Sequence, residues 1–122
     1  MKTPTRFDAR KDTVGVSRDL CAAIVAAQAD PPIPVDGLTI GVADMSENSP
    51  HGGEMHPDGD EVLYLISGLA RVVFENSEFA DVDLHPGDGL VVPKGVWHRV
   101  DILKPCRIVY ATPGPGGEYR PL

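Results

Sequence analysis

Four side chains that commonly bind metals lie in two short segments of the 122-residue chain. The first segment runs from Glu54 through His56 to Glu61, and the second, which contains a Gly/Pro turn, ends at His98. Because side chains two residues apart leave the same face of a strand, Glu54 and His56 would point the same way. Two carboxylates buried in an apolar interior are costly unless they are paired or bind a cation. The pattern therefore predicts a divalent-metal site made of Glu54, His56, Glu61 and His98.

Several alternatives for this cluster stay open. Mixed imidazole and carboxylate ligands suit Fe, Mn, Zn, Ni or Co, and the spacing does not choose among them. Glu54 could instead act as a general base beside a metal held by the other three residues. His51 could replace Glu54 as a ligand if a bulge turned it inward. A barrel without a metal could pair Glu54 and Glu61 with the two histidines by hydrogen bonds.

The charge distribution disfavours two classes of partner. The formal net charge is −7, and no Lys or Arg occurs between Arg18 and Arg71. Nucleic acids and anionic membrane surfaces both require a basic face, and no apolar run reaches the length of a membrane span. Cys21 and Cys106 have no CxxC partner, and the first residues lack an apolar signal-peptide core. We therefore expect a cytoplasmic protein that binds a small molecule.

The surrounding sequence predicts one all-β domain that follows a single helix. Ser17 can cap a helix that runs to about Ala29, since the segment is rich in Ala and the prolines after it stop a helix. Beyond it, short apolar runs between Gly/Pro turns indicate seven or eight strands, with a tight hairpin at Gly68. The strand Val62–Ile66 is apolar on both faces, so a second sheet, the helix or a partner subunit must cover it. The predicted division is an arm and helix over about 1–36, a barrel over about 37–112 and a loose tail over 113–122.

The two segments resemble the paired motifs of the cupin superfamily. In the first motif, G-x5-H-x-H-x3,4-E-x6-G, Glu54 stands in the position of the first histidine, and the later positions are matched by His56, Glu61 and Gly68. The second motif, G-x5-P-x-G-x2-H-x3-N, is matched by Gly87, Pro93, Gly95 and His98. Its last position departs from the pattern, with Ile102 in place of Asn. The resemblance implies a small jelly-roll β-barrel, commonly a homodimer, with one metal ion at these positions.

This resemblance predicts a metal-dependent enzyme, dioxygenase-like or isomerase-like, that acts on a small organic substrate in the barrel lumen. The substrate would be largely apolar, because the inward positions of the strands are occupied by Leu63, Leu65, Val100 and Ile102. The alternative is a non-catalytic module that binds a metal or a small ligand. A second polar cluster in the lumen would distinguish the two, because an enzyme must orient its substrate.

Overall fold

The computed structural model describes residues 3–122, in which nine strands form one antiparallel sheet. The strands are β1 (Asp12–Ser17), β2 (Ala22–Ala26), β3 (Gly37–Met45), β4 (Gly53–Met55), β5 (Glu61–Phe74), β6 (Val82–Leu84), β7 (Gly89–Val92), β8 (His98–Gly114) and β9 (Glu118–Arg120). The predicted all-β class is confirmed for this part of the chain. None of the residues described lies in a helix suited to crossing a membrane.

The predicted helix from Ser17 to about Ala29 is wrong, because this segment forms a turn and strand β2. Strand β2 pairs along its length with β1, and β1 pairs in turn with β3. Asp19 accepts hydrogen bonds from the Ser17 hydroxyl and from the Cys21 amide, so it stabilises a hairpin turn. The helix propensity of the alanines is a weak preference, and the backbone pairing with β1 overrides it. Of the predicted N-terminal arm, residues 1 and 2 lie outside the described range.

The two longest strands, β5 and β8, pair with each other. Gly68, predicted to turn a hairpin, instead lies inside β5, where the register against β8 shifts between Leu65 and Ala70. Its φ of +86° favours glycine, and a Cβ there would lie 2.2 Å from the Pro105 carbonyl oxygen. Such an irregularity bends the paired strands, and β5 and β8 stay paired on both sides of it.

The hydrophobic core lies between the inward faces of β5 and its neighbours. Its buried members are Leu63, Leu65, Ala70, Val72, Leu84, Val92, Cys106 and Ile108. The predicted loose tail also contains structure, since β9 pairs with β4 at the other edge of the sheet. Strand β4 is therefore held between β8 and β9, and this arrangement fixes the segment that carries Glu54.

Candidate metal centre

Strand register brings the four predicted ligands together on one inward face. Glu54 in β4 lies directly opposite His98, the first residue of β8. His56 follows the end of β4, and Glu61 is the first residue of β5. One ligand atom from each of the four side chains lies within 4.8 Å of all the others. The cluster thus combines three residues close in sequence with His98, which β8 brings in from further along the chain.

The distances show Glu61 at the centre of the cluster. Its Oε1 atom lies 3.1 Å from His98 Nε2, and its Oε2 atom lies 3.2 Å from His56 Nε2. Glu54 Oε1 is 3.4 Å from His98 Nε2 and 3.7 Å from His56 Nε2. His56, Glu61 and His98 are buried, whereas the Glu54 side chain keeps 19% exposure. Glu54 is therefore the most accessible member of the cluster.

Two neighbouring groups orient the cluster. His98 Nδ1 is 3.0 Å from the Val96 carbonyl oxygen, which can only accept, so Nδ1 carries the proton in this contact. The lone pair of Nε2 then faces the two carboxylates when the imidazole is neutral. Thr112 Oγ1 donates a 2.6 Å hydrogen bond to Glu61 Oε2. Such outer contacts are typical of metal sites, where they fix the ring tautomer and the carboxylate orientation.

The buried nitrogens of His56 support a cation at this position. His56 Nδ1 has no hydrogen-bond partner among the described residues, and His56 Nε2, although 3.2 Å from Glu61 Oε2, is not well aligned for a hydrogen bond when the imidazole is neutral. A buried polar nitrogen without a partner costs roughly 1–3 kcal/mol. A divalent ion among the four ligand atoms would satisfy Nε2 and neutralise both carboxylates. The donor set of two imidazoles and two carboxylates therefore fits a divalent transition metal.

In the metal-free protein the four side chains form a charge-coupled quartet, in which the glutamates and the histidines stabilise each other's charged forms. Burial pushes the pKa of Glu54 upward, but hydrogen bonds and attraction from His56 and His98 outweigh it and lower that pKa to about 2. Burial opposes the charged imidazoles, yet the two glutamates raise the pKa of His56 to about 9 and that of His98 to about 10. The pKa of Glu61 is also lowered, because the same histidines overcome the cost of burial. Two protons thus balance the charge that a divalent metal would balance.

His51, the alternative ligand, lies outside this cluster. Its ring is tilted against the Tyr119 ring with 5.3 Å between centroids, and its Nδ1 atom is buried without a hydrogen-bond partner among the described residues. Asp60 points away from the ligands, and its Oδ1 accepts a 2.7 Å hydrogen bond from the Lys94 amide. The structure therefore assigns His51 to the wall of the neighbouring cavity.

A cavity of about 650 Å³ opens beside the cluster. Glu54, His56 and Glu61 line it, together with several apolar side chains, among them Met45, Leu63, Val100 and Ile108. Of the four predicted lumen residues, Leu63 and Val100 line this cavity, while Leu65 and Ile102 pack in or against the core. Apolar side chains thus surround the polar ligand cluster, as in many small-molecule sites.

A second polar group of this cavity includes Tyr110, Thr112, Tyr119 and His51. Sequence reasoning missed the first three and considered His51 only as an alternative ligand. The alternation Ile108, Tyr110, Thr112 along β8 carried a signal, since Ile108 belongs to the core face. Tyr119 gave no such signal, because the Gly/Pro-rich residues before it predict a loose tail. Gly41 makes room for Tyr110, since a Cβ at residue 41 would lie 2.4 Å from the phenol oxygen.

Comparison with known proteins places this site in a family. Residues 43–112 match the family model described as a cupin domain. The germin-like protein subfamily 1 member 20 of Arabidopsis thaliana is 37% identical over 81 residues, which cover 61% of this chain and 35% of the relative. The chain therefore spans about a third of the length of the curated relatives that it matches.

Two solved structures share the fold at low sequence identity. Oxalate oxidase in complex with the substrate analogue glycolate has a TM-score of 0.57 and 17% identity, with 68% of this chain and 46% of that chain covered. A DMSP lyase from Ruegeria pomeroyi has a TM-score of 0.56 and 22% identity, with 71% and 45% covered. At these identities the likeness concerns the fold alone. Because the family model spans more than half of the residues, the chain belongs to the cupin domain family.

Proposed function

We propose that the protein is a metal-dependent enzyme that acts on a small, largely apolar organic molecule. The observation that supports this is the placement of Glu54, His56 and Glu61 in the wall of a 650 Å³ cavity. A cavity of this size accommodates a small organic molecule and buries most of its surface. The ligands and the substrate space are therefore contiguous.

The proposed ligands are Glu54, His56, Glu61 and His98, with Fe, Mn, Zn, Ni or Co as the metal. A metal held there supplies Lewis acidity toward an oxygen-bearing substrate, and redox chemistry if it is iron. Thr112 and the Val96 carbonyl keep Glu61 and His98 oriented for this role. Met45, Leu63 and Val100 exclude water from the substrate and favour an apolar body.

Glu54 is the group best placed to move a proton. It is the most accessible carboxylate of the cluster and lies at the longest distances from the two histidines. If His56, Glu61 and His98 hold the metal, Glu54 is free to accept a proton from the substrate. If Glu54 also binds the metal, it fixes the fourth position instead. A dioxygenase-like or isomerase-like reaction is compatible with either role.

The second polar group favours an enzyme over a non-catalytic binding module. Tyr110, Tyr119 and His51 line the same cavity as the ligands and can orient a substrate relative to them. Oxalate oxidase and DMSP lyase, which share the fold, are named as enzymes. Their substrates do not transfer to this chain at such low identity, because one fold hosts many chemistries.

We also propose that a second copy of the chain covers the outer face of β5 and β7. Tyr64 and Ile66 each keep 52% exposure and Val91 keeps 58%. The same face continues across paired strands through Ile40, Ala111, Val62 and Val91. An exposed apolar patch of this kind is typical of an interaction surface, and an identical face is its natural complement in a twofold dimer.

The test of the proposed function is metal content followed by a reaction screen. Wild type purified without added metal should hold close to one divalent ion per chain, measured by elemental analysis. His56→Ala should lose it, whereas His85→Ala, which removes an exposed histidine, should not. The loaded protein is then screened against neutral aromatic diols with an oxygen electrode and product analysis. Equal, substoichiometric metal in wild type and His56→Ala would contradict the proposal.

A further inference from the structure

The cavity beside the cluster contains no cationic anchor. Among the described residues that line it there is no Lys and no Arg, and its only carboxylates are Glu54 and Glu61. Arg107 pairs with Asp44 and Arg71 with Asp83, and neither arginine lines the cavity. A carboxylate substrate would therefore have to rely on the metal alone for its countercharge.

The ligand set leaves that metal without a net positive charge. Two ionised glutamates and two neutral imidazoles around a divalent ion sum to zero. A histidine at residue 54, as the first motif would have it, would leave a net charge of +1. At ligand distance, one unit of charge strongly changes the affinity for an anion, because the Coulomb energy varies inversely with distance. Residue 54 therefore controls whether an anion is attracted to the metal.

Neutral hydrogen-bonding groups replace the missing cation. Neither the Tyr110 nor the Tyr119 hydroxyl has a hydrogen-bond partner within residues 3–122, and both rings line the cavity. Tyr110 lies opposite Leu63, and Tyr119 lies opposite Glu54 at the mouth. These hydroxyls suit hydroxyl, carbonyl or amide oxygens on an uncharged molecule.

We propose that Glu54 is a specificity-determining residue that makes the loaded site neutral and restricts it to uncharged, oxygen-bearing substrates. The inference rests on the proposed metal site and names its substrate class. It separates this chain from proteins that take carboxylates, such as the oxalate oxidase crystallised with glycolate. Alcohols, phenols and amides are the classes that the cavity admits, with their oxygens directed at the metal or at the tyrosines.

The test compares two small ligands of nearly the same shape, glycolate and the uncharged glycolamide. Each is titrated into cobalt-loaded protein by calorimetry, with the cobalt absorption spectrum as a second readout. Wild type should bind glycolamide at least as tightly as glycolate. Glu54→Gln and Glu54→His should each shift the ratio of affinities toward glycolate by about tenfold or more. Glu118→Gln removes the same charge from an exposed position of β9 and should leave the ratio unchanged.

The outcomes separate this inference from the proposed function. A wild-type protein that takes up no cobalt contradicts the metal-dependent enzyme, and the inference with it. A loaded wild type that prefers glycolate overturns the inference alone, as does an unchanged ratio in the loaded Glu54→His variant. That variant restores an imidazole ligand, so it keeps the test available if Glu54→Gln does not retain cobalt.

Discussion

Thr112 on β8 donates a 2.6 Å hydrogen bond to Glu61 Oε2, the same carboxylate oxygen that lies 3.2 Å from His56 Nε2. The hydroxyl thus holds the central carboxylate of the cluster in the orientation in which each oxygen faces one histidine. The contact joins the end of β8 to the start of β5. Glu61 therefore cannot rotate without losing a hydrogen bond in a buried environment.

Thr112→Val should weaken metal binding without unfolding the protein. The substitution keeps the shape of the side chain but removes the donor to Glu61, and outer contacts of this type change metal affinity by about 10–100-fold. We expect the lower part of that range, because His56 and His98 still face Glu61. Metal affinity is measured by competition with a chelator of known affinity.

Thr39→Val is the matched control for this substitution. Thr39 lies directly opposite Thr112 in β3 and lines the same cavity, but it makes no hydrogen bond to the cluster in the described chain. It should leave the metal affinity unchanged. Equal effects of the two substitutions would show that Thr112 acts through packing and not through its hydrogen bond.

The metal-free protein should lose stability as the pH rises from 6 to 10. The pKa values of His56 and His98 are raised to about 9 and about 10, above the unfolded value of about 6.5. Their contribution to the free energy of unfolding is therefore complete below pH of about 6.5 and is lost as the pH passes the folded-state pKa values. Urea unfolding of chelator-treated protein at several pH values measures this loss.

At acid pH the metal-free protein should instead lose stability as the pH falls. The pKa of Glu54 is lowered to about 2, so its contribution is complete above pH of about 4.5 and is lost as the pH falls toward 2. The metal-free protein should therefore be most stable between pH of about 4.5 and about 6.5. His85→Gln, in an exposed turn, should keep the same pH profile, whereas His56→Gln should flatten its alkaline side. An alkaline side that is flat in the wild type contradicts the charge-coupled quartet.

The cluster could be predicted from sequence because its geometry follows from short-range rules. Glu54 and His56 are two residues apart at a strand end, and the turn before Glu61 returns the chain to the same face. The position of His98 followed from its motif and not from spacing alone. Which of the four residues bind the metal remains a prediction, since their distances suit ion pairs as well as a shared ligand set.

The N-terminal strands and the polar wall could not be predicted in the same way. The segment Ala22–Ala26 has helix-forming residues, and only pairing with β1 makes it a strand. Tyr119 faces the cavity because β9 pairs with β4, a contact between residues more than sixty apart in sequence. Both features depend on long-range backbone pairing, which local propensity does not encode.

Lysine substitutions on the outer face of β5 and β7 should separate the proposed dimer. Ile66→Lys together with Val91→Lys places two charges on an apolar face that a partner copy would bury, and buried unpaired charges are strongly unfavourable. Light scattering should show a dimeric mass for wild type and a monomeric mass for the variant. Leu20→Lys, in an exposed turn, should remain dimeric. A monomeric wild type at high concentration contradicts the dimer.

Arg120 should stabilise the docking of β9, the strand that carries Tyr119. Its guanidinium lies 3.9 Å above the Trp97 ring, and its Nε atom lies 2.7 Å from Glu75 Oε1. An exposed ion pair contributes about 0–1 kcal/mol and a cation–π contact about 0.5–1 kcal/mol, so together they stabilise β9 by about 0.5–2 kcal/mol. Arg120→Ala should raise the opening of β9 by about tenfold, measured by hydrogen exchange of the β9 amides.

The same substitution should weaken ligand binding more than it slows turnover, because Tyr119 lines the cavity mouth and does not belong to the cluster. We expect the KM for a substrate bound in the cavity to rise while kcat stays nearly constant. Arg99→Ala, which removes an arginine of similar exposure paired with Asp101, is the control and should change neither the exchange of β9 nor KM. If Arg120→Ala leaves the exchange of β9 at the wild-type rate, the prediction is wrong. Backbone pairing with β4 alone would then hold β9 and position Tyr119.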